Sequence, residues 1–445
     1  MRTTTTPPEA RDEARRVDRR VLALALPATA SLLAKPLYDL TDTAILGHLG
    51  TTPLAGAVIA TEILLLASSI FIFLMFGTTA AVARLSGAGR RAEAAHQGGQ
   101  GMWLGAGLGV LVAVLLAALL SVLIPVWGGH GDVADAARTY GWISLLGFPA
   151  FLMGMAGTGY VRGTSDTVTP LWIALGTVVL NLAVELTTVY GFGWGVAASA
   201  GSTVLAQWVA AVAYLVIVRR AALGHGMSLR PDRRTLRGLG STGLPLFVRT
   251  AALRGTMATS VALAGRLGTT AVAGYGVAFG IWSFLAYLSD GLEVAGQVMV
   301  AETLGQGDGH RARQVAGRIL RMALLVGLVA GALVLAVRTG LPRLFTSDPE
   351  VVATAASGLL WVALAQPLNS VVFAADGILV GADDLRFLAL AMVGATVAYA
   401  AAAGAVVATD AGITWVWVAM VGFMAARGIG LGARLRSPSW TAPPP

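Results

Sequence analysis

Two ten-residue stretches far apart in the chain are nearly identical: GHLGTTPLAG at residues 47–56 and GRLGTTAVAG at residues 265–274. They lie 218 positions apart, and the same offset separates further matching residues on both sides of them. These matches are Leu26-Pro27 with Leu244-Pro245, Gly87 and Gly89 with Gly305 and Gly307, Pro149 with Pro367, and Gly159, Gly163 and Asp166 with Gly377, Gly381 and Asp384. A constant offset over an ordered set of residues indicates an internal duplication.

The composition places both copies in a membrane. Of the 445 residues, 56% are hydrophobic and only 12% are charged, and the mean hydropathy is +0.74. Soluble proteins carry about 25% charged residues, so a deficit spread over the whole length predicts a polytopic membrane protein. The chain has no cysteine, which excludes disulfide and thiolate chemistry.

Twelve apolar stretches are long enough to cross a membrane, because a helical span needs about 20 apolar residues. They lie at 21–46, 53–82, 101–127, 139–160, 168–190, 196–218, 243–264, 271–300, 319–337, 351–379, 387–408 and 411–432. Six spans, an even number, separate one copy from the next, so both copies take the same orientation. This predicts an all-α fold of two six-helix lobes related by a pseudo-two-fold axis along the membrane normal, with lobes at residues 1–222 and 223–445 and a polar tail at 1–20.

The basic residues are distributed unequally between the two sides of these spans. Twenty-four of the 31 lysines and arginines lie in the tail, the even-numbered loops and the C-terminal end, and four lie in the odd-numbered loops. The 24 include Arg162 and Arg427. Positive charge accumulates on the cytoplasmic side. We therefore expect a multi-pass protein of the inner (plasma) membrane with both termini in the cytoplasm.

Three ionisable residues share one face of the first span. Lys35, Asp39 and Asp42 are spaced i, i+4 and i+7, which places them on a single helical stripe. Charges at membrane depth cost about 2.5–3.5 kcal/mol each and usually face a partner or a water-filled cavity. We expect Lys35 to pair with Asp39, and Asp42 to face a cavity and exchange a proton. The alternative is that all three are hydrated near the outer end of the helix.

Other spans of the first copy also carry acids. Glu62 lies in the second span, and Glu185 lies in the fifth span, one turn after Asn181. An amide one turn from a carboxyl group can hydrogen-bond to either of its protonation states. With Arg321 and Arg427 counted among the loop residues, the spans contain seven acids and three bases. Some acids therefore lack a cationic partner, and burial without such a partner favours protonation.

The second copy combines acids with two arginines. Arg249 and Arg254 lie in the seventh span. The acids and one amide of neighbouring spans are Asp290, Glu293, Gln297 and Asp376. These groups form either a second ion site or a structural partner set for the arginines, and we favour the structural role. The arginines could instead bind an anionic substrate.

Several other functions are not supported by the residues present. Lys35 is the only lysine, and it lies inside the first span. No loop can therefore supply the lysine of a nucleotide-binding P-loop. The five histidines are scattered and predict no metal site; they are His48, His96, His130, His225 and His310. No nucleophile–base pair is recognisable, so we expect neither an enzyme nor a cofactor. The basic loops are explained by membrane orientation rather than by a nucleic-acid partner.

Several stretches resemble the multidrug and toxic compound extrusion (MATE) family. They are DTAILGHLGT at 42–51, GTTAAVARLSGAG at 77–89, the polar positions between Asn181 and Gln207, and DGILVGADD at 376–384. PLFVRTAALRG at 245–255 is similar to the DinF branch in particular. The resemblance runs over nearly the whole chain.

The resemblance implies a V-shaped arrangement of two six-helix lobes and antiport of organic compounds against H⁺ or Na⁺. Its first-helix acid matches Asp42, its fifth-helix polar pair matches Asn181 and Glu185, and its sixth-helix threonine matches Thr203. We expect the cavity of the first lobe to be lined by Lys35, Tyr38, Asp39, Asp42, Asn181, Glu185 and Thr203. The family pattern also implies that the first helix bends, for which Pro27 is suited, and that Asp376 resembles an acid that some members use for Na⁺.

Two features depart from the family pattern. Glu185 stands where an aspartate is usual, which lengthens the side chain by one methylene, and Lys35 with Asp39 makes a purely cationic substrate range doubtful. The sequence therefore predicts a monomeric, H⁺-coupled exporter of small amphipathic organic compounds that has membrane lipid around it. The alternatives are a Na⁺-coupled antiporter using the acids of the second lobe, and a flippase of a lipid-linked intermediate using its arginines.

Overall fold

The computed structural model describes residues 8–441, except for the side chains of residues 8–11, 35, 37, 40, 241 and 242. Over this described range the chain forms fourteen α-helices and no strand. The helices are α1 (Pro8–Leu49), α2 (Thr51–Ser69), α3 (Phe73–Gly87), α4 (Arg91–Val126), α5 (Gly131–Leu145), α6 (Phe148–Gly163), α7 (Val168–Leu186), α8 (Val196–Gly224), α9 (Arg233–Arg266), α10 (Thr269–Gly305), α11 (Gly309–Val337), α12 (Pro349–Gly381), α13 (Leu385–Ala408) and α14 (Ile413–Arg436).

All twelve predicted spans coincide with helices, and two of the spans are interrupted. A 3₁₀ turn at Ile70–Ile72 separates α2 from α3, and α5 meets α6 at an angle of 49°. Among the described residues, nine helical stretches are long and apolar enough to cross a membrane, or ten with the bent pair α5–α6. Helices α1 and α9, which both include residues whose side chains are not described, are outside that set.

The duplication is visible in the backbone as well as in the sequence. Gly50 and Gly268, which precede α2 and α10, have φ angles of 124° and 106°. Ser165 and Asp383, which follow α6 and α12, both lie in the left-handed region with φ angles of 64° and 65°. Because side chains rarely adopt this region, two such residues 218 positions apart show that the turns were copied together with the helices.

A glycine explains the close packing of one helix pair in each copy. A Cβ atom added at Gly109 would lie 2.4 Å from Pro149 Cα, and one added at Gly327 would lie 2.7 Å from Pro367 Cα. Only glycine therefore lets α4 approach α6, and α11 approach α12, this closely, as small residues do between membrane helices.

The contacts divide the chain into two compact units. The first unit is Ala30–Phe247, and the second unit contains Val248 onward together with residues up to Thr29. Both boundaries lie two residues after equivalent prolines, Pro27 and Pro245, where a proline leaves one backbone carbonyl without its helical hydrogen bond. The predicted lobe limits, 1–222 and 223–445, differ from these units in the first segments of α1 and α9, and they stay a prediction.

Candidate functional site

A hydroxyl and amide network joins three helices of the first unit. Tyr38 Oη of α1 and Thr203 Oγ1 of α8 are 2.5 Å apart. Asn181 of α7 is buried, and its Nδ2 donates to Tyr38 Oη at 3.2 Å and to Ser202 Oγ at 3.2 Å. The network places three predicted site residues in contact.

Two carboxyl groups meet beside this network. Ser199 Oγ donates a hydrogen bond to Asp42 Oδ1, and the carboxyl group of Glu185 lies next to Asp42 and Ser199. Asp42 is 9% exposed, Glu185 is 1% exposed and Ser199 is fully buried. Neither oxygen of Glu185 accepts a well-formed hydrogen bond from any described residue. The acid pair Asp42–Glu185 therefore has one hydroxyl donor for two buried carboxyl groups.

Irregular backbone brings these residues together. Glu185 is followed by a π-helical turn at Thr187–Gly191, a feature that is frequent at functional sites. Helix α8 begins after Gly195, whose φ of 58° favours glycine, and this start places Ser199 near the beginning of the helix. Ser199 and Thr203 lie one turn apart on α8, and Thr203 Oγ1 donates to Ser199 O at 3.1 Å.

A cavity of about 300 Å³ opens onto Asp42 within the first unit. Its lining includes three acids, Asp39, Asp42 and Glu62, and four aromatic residues, Tyr38, Tyr140, Phe148 and Phe151. A second cavity of about 230 Å³, lined by Asn181 and Thr177, shares Tyr38, Thr203, Phe151 and Gln207 with the first. The Tyr38–Thr203 contact therefore lies between two cavities of the same unit.

The structure distributes the predicted residues of this site unevenly. Asp39 and Glu62 are exposed and line the first cavity. The side chain of Lys35 lies outside the described residues, so its pairing with Asp39 stays a prediction. The amide of Asn181 points to Tyr38 and Ser202 and forms no hydrogen bond with Glu185. The hydrogen bond that their one-turn spacing allows is therefore not formed, and the amide bonds to hydroxyl groups of α1 and α8 instead.

The second unit holds a separate ionic cluster. Arg249 Nη2 lies 2.6 Å from Asp376 Oδ2 and 3.6 Å from Glu293 Oε1. Arg427 Nη2 also bonds to Asp376 Oδ2, and its guanidinium lies 5.7 Å from the ring centroid of Phe423. The four charged side chains are at most 7% exposed. Two guanidinium groups and two carboxylates balance, which agrees with the structural role favoured from the sequence.

The remaining predicted residues of the second unit lie at the edge of this cluster or away from it. Asp290 is half-buried and within electrostatic reach of Arg249. Gln297 is buried. Its backbone carbonyl oxygen would lie 2.5 Å from a Cβ atom added at Gly381. Arg254 is exposed and forms no ion pair in the described part of the chain. The prediction that Arg254 shares the acids with Arg249 is therefore wrong.

Sequence reasoning missed three residues of these sites and one buried arginine elsewhere. Arg427 and Arg162 were counted with loops, but both are buried inside helices, at 3% exposure each. The position of Arg427 inside the predicted span 411–432 was the available signal. Ser199 and Tyr140, whose hydroxyl group lies next to Ser199, carried no signal, because serine and tyrosine are also common in helix packing.

The fold and the site together define a multi-pass helical membrane protein built from two copies of one six-span unit. A family model described as MatE matches the chain twice, at residues 27–187 and 245–403. The two matches begin 218 positions apart, the offset of the internal repeat, and together they cover more than half of the chain. The chain belongs to the MatE family of membrane transporters.

Named relatives and solved structures agree with this assignment. Protein DETOXIFICATION 44, chloroplastic, of Arabidopsis thaliana is 29% identical over 430 residues, which cover 93% of this chain and 81% of the relative. Multidrug resistance protein MdtK of Yersinia enterocolitica is 28% identical over 377 residues, which cover 83% of this chain and 82% of the relative. The bent form of the Vibrio cholerae MATE transporter VcmN matches with a TM-score of 0.87 at 20% identity, over 96% of this chain and 99% of that one. The DinF branch stays a prediction.

Proposed function

We propose that the chain is an H⁺-coupled antiporter that exports small amphipathic organic compounds across the cytoplasmic membrane, with both termini in the cytoplasm. The observation that carries the proposal is the acid pair Asp42–Glu185, which is buried beside a cavity and has no cationic partner among the described side chains. The family assignment supports transport in general, and the names of DETOXIFICATION 44 and of the multidrug resistance protein MdtK support organic compounds as cargo.

Counting donors and acceptors supports a proton as the coupling ion. Two ionised carboxylates are acceptors only, and like charges in contact in a low-dielectric interior disfavour ionising both. Ser199 supplies one donor, which leaves Glu185 without any. A proton shared by Asp42 and Glu185 removes the repulsion and provides the missing donor.

The first cavity supports coupling between this proton and an amphipathic compound. Aromatic rings and acidic side chains both line it, so it offers apolar contact as well as charge. A compound that enters this cavity comes next to Asp42 and favours the release of its proton. Alternating access then delivers the proton and the compound to opposite sides of the membrane.

The alternative ion and the alternative cargo have weaker support. A Na⁺ site in the second unit would use Asp376 and Glu293, but Arg249 and Arg427 already neutralise these carboxylates. A flippase would grip the phosphate of a lipid-linked intermediate with the same arginines, and their ion pairs with Asp376 leave little charge for it.

The test is transport in vesicles that carry one ion gradient at a time. We expect a pH gradient alone to drive efflux of ethidium, an amphipathic cation, and a Na⁺ gradient alone to drive none. Asp42→Asn should abolish the efflux without lowering expression, because an amide cannot carry the proton. The matched control is Asp132→Asn, an exposed acid of the same unit that does not line the cavity, and it should retain most of the activity. Full activity of Asp42→Asn would reject the assignment.

A further inference from the structure

Six exposed arginines are concentrated where α8 ends and α9 begins. They are Arg219, Arg220, Arg230, Arg233, Arg234 and Arg237. None of them forms an ion pair within the part of the chain that the structure describes. Asp232 is the only acid between residues 219 and 237. This segment therefore presents a concentrated positive surface next to two membrane spans.

The single acid of the segment is engaged at the start of α9. Asp232 accepts hydrogen bonds from Thr235 Oγ1 at 2.5 Å, from Thr235 N at 3.0 Å and from Arg234 N at 3.2 Å. The hydroxyl group of Thr235, together with these backbone amides, holds the pKa of Asp232 below its usual range. The carboxylate serves as a helix cap and leaves the six guanidinium groups uncompensated.

Several arginines elsewhere in the chain are paired with acids, whereas others, such as Arg254, are single exposed residues. In the second unit Arg318 bonds to Asp18, Arg20 to Glu302 and Arg434 to Asp384. Membrane orientation alone requires basic residues on one side, and paired arginines meet that requirement equally well. The concentration of six arginines in one segment, without acidic partners among the described residues, therefore calls for an additional explanation.

The backbone of the segment is fixed against α4. Three residues of α4 at i, i+4 and i+7 hold it: His96 Nδ1 lies 2.9 Å from Ser228 O, Gln100 Nε2 donates to Arg230 O at 2.8 Å, and Trp103 Nε1 donates to Leu229 O at 2.8 Å. Gln100 Oε1 also accepts from Asp232 N at 2.8 Å. The fully buried Gln100 thus holds both sides of the segment and keeps its arginines at one position on the unit.

We propose that residues 219–237 form a binding surface for the headgroups of anionic phospholipids. Guanidinium groups bind phosphate oxygens in a bidentate manner, and basic clusters directly beside a membrane span attract anionic lipids. Trp103, which is 50% exposed, lies beside the segment, and tryptophan is enriched at the membrane–water interface. The fixed backbone lets several arginines act on the same headgroup layer.

The test is lipid retention by the purified full-length chain in native mass spectrometry. The probes are phosphatidylglycerol and phosphatidylcholine with identical acyl chains. We expect the wild-type chain to retain phosphatidylglycerol preferentially. The triple variant Arg219→Gln, Arg220→Gln, Arg234→Gln should lose this preference, with affinity falling about fivefold per arginine, which corresponds to about 1 kcal/mol each.

A charge-matched control separates the surface from net charge. The triple variant Arg266→Gln, Arg343→Gln, Arg386→Gln removes three exposed arginines from other regions and should keep the preference for phosphatidylglycerol. Equal retention of both lipids by the wild-type chain would overturn the proposal without any variant. An equal loss of phosphatidylglycerol in both triple variants would overturn it as well.

Discussion

The two units carry different chemistry at equivalent positions. In the first unit Asp42, Glu185 and Ser199 form a buried acidic site. The residues 218 positions later are Ser260, Ala403 and Trp417, so the second unit has no acid at any of the three. Duplication preserved the turns and the close helix contacts, whereas the ionisable site exists in one copy only. The proposed function therefore depends on side chains in which the two copies differ.

Aromatic packing fills the second unit where the first unit has its cavity. The rings of Trp417 and Tyr275 are 4.7 Å apart between centroids, and Tyr275 Oη donates to Ser260 Oγ at 2.7 Å. Gly358, the equivalent of Tyr140, makes room for this indole, because a Cβ atom there would lie 2.7 Å from Trp417 Nε1. The aromatic side chain comes from α5 in the first unit, as Tyr140, and from α14 in the second unit, as Trp417. In the second unit it occupies the space that remains open in the first unit.

The helices differ in the same direction as the side chains. In the first unit α2 and α3 are separated by a 3₁₀ turn, and α5 and α6 meet at a bend. The equivalent helices of the second unit, α10 and α12, are continuous. The first unit has interrupted helices next to its acidic cavity, which suits it to rearrangement. The second unit has continuous helices next to its ionic cluster, which suits it to support.

The largest expected effect on stability is in the ionic cluster. Arg427→Leu leaves the buried carboxylates with one guanidinium, and removing one partner of a buried ion pair costs about 3–5 kcal/mol. Thermal unfolding in detergent should show this loss, while transport below the unfolding temperature should remain driven by a pH gradient. The control is Arg434→Leu on the same helix, whose partly exposed pair with Asp384 contributes about 1 kcal/mol or less. Equal losses would contradict the structural role of the cluster.

A smaller loss should come from filling the space beside Trp417. Gly358→Ala places a methyl group against the indole and Ala278, and overpacking of this kind costs about 1–3 kcal/mol. Gly394→Ala on α13, which has open space around it, should be neutral or slightly stabilising, since alanine favours helices. Thermal unfolding of both variants compares them, and an unchanged melting temperature for Gly358→Ala would refute the filled-cavity interpretation.

Much of the architecture could be predicted from the sequence, because it depends on periodic apolar runs and on a repeat offset. The sequence also indicated four of the site residues, because a polar residue inside an apolar run is conspicuous. They are Asp42, Asn181, Glu185 and Arg249. Ser199 was not, because a serine in the stretch AASAG is indistinguishable from a small packing residue. Its role depends on a contact across 157 positions of the chain, and no local pattern reports such a contact.

A further expected effect is a loss of transport when the hydroxyl donor of the acid pair is removed. Ser199 Oγ donates to Asp42. A hydrogen bond to a charged group contributes about 1.5–3 kcal/mol, and about 1.4 kcal/mol corresponds to a factor of ten in rate. Ser199→Ala should therefore lower efflux driven by a pH gradient by about tenfold or more at unchanged expression.

Two comparisons distinguish this loss from a general structural defect. Ser199→Thr retains the hydroxyl group and should restore most of the efflux. Ser289→Ala removes a serine buried in the second unit and should leave the efflux unchanged. The other ionisable groups that face Asp42 or its cavity are left intact in all three variants; they are Glu185, Tyr38, Tyr140, Asp39 and Glu62. Unchanged efflux in Ser199→Ala would show that its hydroxyl group does not act on Asp42.

Proton release on substrate binding is the most direct test of the acid pair. The purified chain in weakly buffered detergent solution is saturated with ethidium, and the released protons are counted with a pH indicator. The wild-type chain should release about one proton, because two carboxyl groups in contact share a single proton before binding, whereas Asp42→Asn should bind ethidium and release none. Equal release by both proteins would contradict the central claim that Asp42 and Glu185 exchange a proton for cargo.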